Sequence, residues 1–160
     1  MDKIVYMRLR TIVLVVFFLV SAFGFGQQII KKEGVYVNAK SLKKYTGAYI
    51  SYYDNGEKEA VYGVKNGVEN GKVEFYYFSG EIMEQGAFED GKKNGKWVRW
   101  SQKGTKLAEA FYANGKKNGE WQIWDERGVK RYLMNYLKGQ KVGTWIMWDE
   151  KGQIVNKKEY

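Results

Sequence analysis

The stretch Gly95-Lys-Trp-Val-Arg-Trp-Ser-Gln-Lys-Gly104 sets the architecture, because it comes back. The chain reads Gly119-Glu-Trp-Gln-Ile-Trp-Asp-Glu-Arg-Gly128 after a step of 24 residues, and Gly143-Thr-Trp-Ile-Met-Trp-Asp-Glu-Lys-Gly152 after another 24. Two earlier copies start at Gly47 and Gly71, with Tyr49, Tyr52, Val73 and Tyr76 at the Trp positions. A third register, Val64, Phe88, Tyr112, Tyr136 and Tyr160, keeps the same step. All six Trp and 14 of the 19 Gly fall on this period, with no gap between Gly47 and Tyr160. Self-similarity at such a step is the mark of a repeat architecture.

Each unit reads as two short strands and two turns. The first strand is the Trp-bearing segment, as in Lys96–Ser101, and the second ends on the third register, as in Lys106–Tyr112. A turn ending in Gly, such as Asp125–Gly128, joins them. Between units lies Gly91-Lys-Lys-Asn-Gly95, repeated as Gly115-Lys-Lys-Asn-Gly119, which reads as a loop. Asn-Gly pairs recur at 55–56, 66–67, 70–71, 94–95, 114–115 and 118–119. Asn-Gly tolerates the positive φ that tight hairpins need. A helical repeat would place several Gly inside each helix, at about 1 kcal/mol apiece against Ala. The expected fold class is all-β: five tandem 24-residue hairpins, units 47–70, 71–94, 95–118, 119–142 and 143–160. They form an elongated, twisted antiparallel meander of about ten strands, some 45 Å long at ~4.8 Å per strand.

Residues 1–26 read differently. Lys3, Arg8 and Arg10 precede the unbroken apolar run Ile12–Val20, and Gly24 and Gly26 follow it. A basic start, a short apolar stretch and small residues at its exit describe a signal peptide, with cleavage after Gly26. The alternative is an uncleaved anchor, but the uncharged stretch Thr11–Gly26 has 16 residues. A spanning helix needs about 20. The expected location is therefore outside the cytoplasm: periplasm, cell surface or medium. Residues 27–46 do not fit the repeat and read as an N-terminal cap, which solenoid ends require. Within them Val35–Val37 reads as a strand and Ser41–Tyr45 as a turn or short helix.

The 160 residues carry a formal charge of +9. Lys3, Arg8 and Arg10 against Asp2 account for +2 of it, so +7 remains after removal of the leader. There is no Cys, His or Pro. That excludes a disulfide framework, a Cys nucleophile, a Ser-His-Asp triad and an ordinary structural zinc site. The dense acid pairs, Asp125/Glu126 and Asp149/Glu150, sit in equivalent turns and offer too few oxygens for calcium. No glycine-rich phosphate loop lies between a strand and a helix. No cofactor, metal or catalytic residue is expected, and the protein is not expected to be an enzyme.

At GKWVRWSQKG…FYANGKKNG and GEWQIWDERG…NYLKGQKVG the sequence resembles the MORN-repeat variant of the second type. The resemblance covers Gly47–Tyr160 and is similar to the YwqK-type toxin–antitoxin system antitoxin family. It implies a binding protein built of hairpin repeats without catalytic residues, and an antitoxin role. MORN repeats elsewhere imply membrane association and protein scaffolding.

Candidate binding residues follow from face and charge. Trp97 and Trp100, like Trp121 and Trp124 and like Trp145 and Trp148, lie three positions apart. Strand side chains alternate, so the members of each pair should point to opposite faces unless a bulge intervenes. A single-layer sheet cannot cover both faces, which leaves an aromatic ladder, Tyr76 included, exposed as a binding surface or shielded by Lys stems. Lys92, Lys93, Lys116, Lys117 and Lys141 should form a basic rim on the loops between units, either a solubility device or a surface for anionic membrane or polysaccharide. The expected function is a non-catalytic exported module that binds or scaffolds another protein. The alternatives are an antitoxin or immunity protein, and a cell-wall glycan binder stacking its Trp and Tyr rings on sugars. Lys interleaved with aromatics would also suit nucleic acid, but export separates the chain from it.

Overall fold

The computed structural model describes residues 28–160, all of them strand, turn or extended segment. The signal-peptide reading of residues 1–26 lies outside the described residues. A small hairpin comes first: β1 (Ile29–Lys32) and β2 (Val35–Asn38). The chain then lays down β3 (Gly47–Tyr52), β4 (Lys58–Lys65), β5 (Val68–Tyr76), β6 (Ile82–Glu89), β7 (Lys92–Trp100) and β8 (Lys106–Ala113). It continues with β9 (Lys116–Lys117), β10 (Gly119–Trp124), β11 (Lys130–Leu137), β12 (Gln140–Trp148) and β13 (Ile154–Glu159). From β3 to β13 every strand pairs antiparallel with its neighbours in the chain, except that β9 and β10 share β8, giving one 11-stranded open sheet.

The strands start earlier than the sequence suggests, and the reason is which Asx-Gly pair makes the turn. Asn66-Gly67, Asp90-Gly91, Asn114-Gly115 and Lys138-Gly139 each take positive φ at both positions, as at Asp90 (46°) and Gly91 (74°). That is the type I′ hairpin turn whose twist matches that of the flanking strands. Lys92-Lys93-Asn94 therefore belongs to β7 and not to a loop. The second Asn-Gly pair, at Asn70-Gly71 and Asn94-Gly95, becomes a bulge. Between the paired positions Gln85↔Val98 and Ala87↔Asn94, one residue of β6 faces three of β7, and Gly95 (φ 69°) takes up the excess. Leu42 (φ 54°) stands 24 residues before Asn66 and also has positive φ; the turn there is 39–41, and Lys44 then bridges back to Val37, with no helix.

The turns are tied to one another along their rim. The Gly67 N–H donates to the Tyr45 carbonyl (2.7 Å), Gly91 to Glu69 (2.8 Å), Gly115 to Lys93 (2.9 Å) and Gly139 to Lys117 (2.8 Å). The turns within units repeat as well: the Asp125 and Asp149 carboxylates accept from the backbone N–H groups of Val129 and Gln153, respectively, closing their own loops. These acids are turn caps.

Burial is concentrated at the N-terminal end. Val73, Trp97 and Ala110 form the core cluster, and among the described residues none after Ala110 is buried. The hairpin β1–β2 covers the start of one face. Its Tyr36, 2% exposed, packs on Tyr49 (4.8 Å between ring centroids) and Tyr62 (6.2 Å). The Tyr36 N–H donates to the Gly67 carbonyl (2.9 Å) and Lys31 pairs with Glu69 (2.6 Å).

Candidate functional site

The aromatic registers combine in a way that spacing alone does not reveal. The first and third interleave into a single ladder on one face, because residues from neighbouring strands meet across the sheet. Trp97, Tyr112, Trp121, Tyr136, Trp145 and Tyr160 follow one another with centroids 5.0–6.1 Å apart, mostly edge to face. Such pairs contribute about 0.5–1.5 kcal/mol each beyond their area. The ladder extends back through Phe75, Tyr62 and Tyr49 to Tyr36.

The second register lies on the reverse face. Trp97, Val98 and Arg99 pair with Ala110, Glu109 and Ala108, and the register shift after Arg99 leaves its extra residue, Leu107, on β8, so alternation along β7 continues and puts Trp97 and Trp100 on opposite sides. Trp100 lines a groove of about 570 Å³ with Val98, Gln85, Lys96 and Glu109. Glu109 is held below the usual carboxylate range by its hydrogen bond from Lys96, with Lys106 adding to it. The Lys106 ammonium sits 4.3 Å from the Trp124 ring centroid, and Lys130 lies between Trp124 (5.7 Å) and Trp148 (6.0 Å). Tyr76, pushed up to about 12 by its hydrogen bond to Glu74 and by burial, stands under Lys58 on this same face. The reverse face is thus a mixed surface of Trp and Tyr rings, Lys and Glu.

The expected basic rim is corrected. Lys93, Lys117 and Lys141 are strand residues whose ammonium groups lie over the ladder: 3.6 Å from the Trp97 centroid, 4.2 Å from Trp121 and 4.5 Å from Trp145. Their positions alternate with Lys92 and Lys116, which stay at the strand starts beside the turns. The cause is the type I′ turn two residues earlier, which converts the supposed loop into strand and so assigns alternate lysines to alternate faces.

Equivalent Trp residues differ in their surroundings. Trp121 Nε1 donates to the Phe111 carbonyl and Trp145 Nε1 to Asn135, each at 3.0 Å. Trp97 is buried and its Nε1 has no partner among the described residues. Its ring lies over Gly86, where Trp121 and Trp145 have Ala110 and Met134 at the equivalent positions. At the far end Tyr132, Met134, Trp145, Met147, Lys158 and Tyr160 line a slot of about 220 Å³ on the ladder face. Tyr160 there is 47% exposed.

The sequence singles out the Trp residues, Tyr76 and the inter-unit lysines, Lys141 among them, but not Tyr36, nor Tyr112 and Tyr136 as partners of the Trp residues in one ladder. The signal was present in the equal spacing of the third register; what was missing was the cross-strand register that joins it to the first. Among the described residues no cluster of Asp and Glu could hold a metal ion. No curated protein matches the chain. Residues 69–90, from β5 to the end of β6, match the family model described as the MORN repeat variant.

Proposed function

We propose that the protein is a non-catalytic binding module that recognises another protein through the C-terminal half of its ladder face, outside the cytoplasm. One observation carries this reading. The ladder runs on unchanged from Trp97 to Tyr160, yet burial stops at Ala110. Contiguous aromatic surface of this kind, rimmed by charge, marks interaction sites in soluble proteins. An extended sheet of stacked units supplies such a surface without a catalytic constellation. The match to a MORN repeat variant over residues 69–90 supports a repeat-built module. The basic start and apolar run before Gly26 support export.

Photo-crosslinking in cells that make the full chain tests this reading. A photoreactive residue at Met147, on the ladder face, gives a discrete adduct with one protein, whereas one at Gln122, on the reverse face, gives none. Absence of an adduct from Met147, or equal adducts from both, overturns it.

A further inference from the structure

The chain already shows how its ladder face is covered, because the β1–β2 hairpin covers the beginning of it. Three contacts do this. The Tyr36 ring sits on Tyr49 and Tyr62, the Tyr36 N–H donates to the turn carbonyl of Gly67, and Lys31 meets Glu69. The partner on the sheet side of each contact has a counterpart in the later units, 24-residue steps away, that is still open. The carbonyls of Gly91, Gly115 and Gly139 follow that of Gly67, and among the described residues none accepts a hydrogen bond. The ring seat steps to Trp121 and Met134 in the unit of Gly139, and beyond Met134 it opens into the slot lined by Trp145, Met147 and Tyr160.

The charge contact recurs with its sign reversed. At the register of Glu69 stand Lys93, Lys117 and Lys141. Lys93 is paired with Glu84 (3.1 Å). Lys117 and Lys141 meet only rings and a tyrosine hydroxyl among the described residues, and Lys158 beside the slot meets only Tyr160. By strand alternation and pairing register, the ladder face of β8–β13 carries no Asp or Glu at all. The covered half thus receives a cation from its covering hairpin, through Lys31 of β1, and the open half demands an anion.

We propose that the open half of the ladder face docks an extended acidic segment of another protein. An aromatic side chain fills the slot by Trp145, carboxylates meet Lys117 and Lys141, and a backbone N–H reaches the Gly139 carbonyl as Tyr36 reaches that of Gly67. This deepens the protein-binding reading above and rests on it. The occupant is a peptide because the template on the same face is a strand, with Val35 and Val37 flanking the aromatic ring.

Fluorescence anisotropy with the full chain tests it, using a panel of labelled, amidated ten-residue peptides. Each has a central Tyr flanked by Val, and outer positions occupied by Glu or by Lys. The Glu peptides bind saturably, and the Lys peptides bind at least about tenfold more weakly. Replacing the Tyr by Ala removes most of the affinity. Lys117→Glu and Lys141→Glu each weaken the Glu peptides at least about fivefold, while Lys130→Glu on the reverse face changes binding less than about twofold. Lys158→Glu, on the exposed strand β13, repeats the loss at a position where folding is not at stake. No binding by any Glu peptide overturns the proposal, as does equal binding of the Lys peptides or an equal loss with Lys130→Glu. Binding of phosphatidylserine vesicles without peptide binding, or self-association abolished by Lys141→Glu, also overturns it. A Met147 adduct in cells alongside failure of the whole panel refutes the acidic occupant and leaves the protein-binding reading standing.

Discussion

A methyl group on Gly86 would overlap Cδ2 of Trp97, although Gly86 is not among the glycines with positive φ. The glycine is required by the indole and not by the turn chemistry that explains most other glycines. Gly86→Ala therefore overpacks the one place where the core is tightest. We expect a loss of about 1–3 kcal/mol in denaturant unfolding. Gly104→Ala, where no atom lies near, tests backbone strain alone. A neutral Gly86→Ala would show that Trp97 has another place to go.

Trp97 and Trp145 occupy equivalent registers, but Trp97 is 2% exposed and Trp145 is half-buried. Trp97→Ala should cost about 3–5 kcal/mol, as for other buried aromatics. Trp145→Ala should cost less than about 2 kcal/mol, because water already reaches its face. Equal costs measured by urea unfolding would mean that the open half is covered in the free protein.

Lys138 holds a φ of 51° in a turn position where Asn66, Asp90 and Asn114 do the same work in the other units. Asn tolerates this conformation better than a longer side chain. Lys138→Asn should stabilise the protein by about 0.5–1 kcal/mol, a rise in melting temperature of roughly 1–4 °C. Calorimetry reads this directly, and a fall would place Lys138 in a contact more favourable than its backbone is strained.

The hairpin β1–β2 should be sensitive to pH at both ends. Burial and the neighbouring Glu69 carboxylate hold Tyr36 above its usual value of 10.0. Its folded form therefore keeps the proton, and this stabilisation is present below about pH 10 and is lost as pH rises beyond it. Burial alone would push Glu69 up, but its hydrogen bonds from Lys31 and Tyr36 bring it below 4.5. That contribution is present above about pH 4.5 and is lost as pH falls through the lowered value. Between about pH 8 and about pH 11.5 the melting temperature should fall more steeply for the native chain than for Tyr36→Phe. Parallel slopes would exclude Tyr36 as the alkaline-sensitive group.

Much of this was legible in the residues. The 24-residue step, the all-β antiparallel sheet and the opposition of Trp97 to Trp100 follow from Gly, Trp and alternation. The strand starts did not follow, because Asp90-Gly91 and Asn94-Gly95 are both good turn formers and only one can turn the chain. The structure turns at the first and bulges at the second. Strand β1 went unread because Ile29–Lys32 is short and outside the repeat. The single interleaved ladder was hidden for a different reason: periodicity along the chain reports which residues are alike, whereas contact across a sheet depends on register.

Ring-to-ring nuclear Overhauser effects read the interleaved ladder itself. An unbroken chain of contacts Tyr112–Trp121–Tyr136–Trp145–Tyr160 is expected, with none between Trp121 and Trp124. A direct Trp121–Trp124 contact, or Trp121 meeting Trp145 with Tyr136 absent between them, would contradict it.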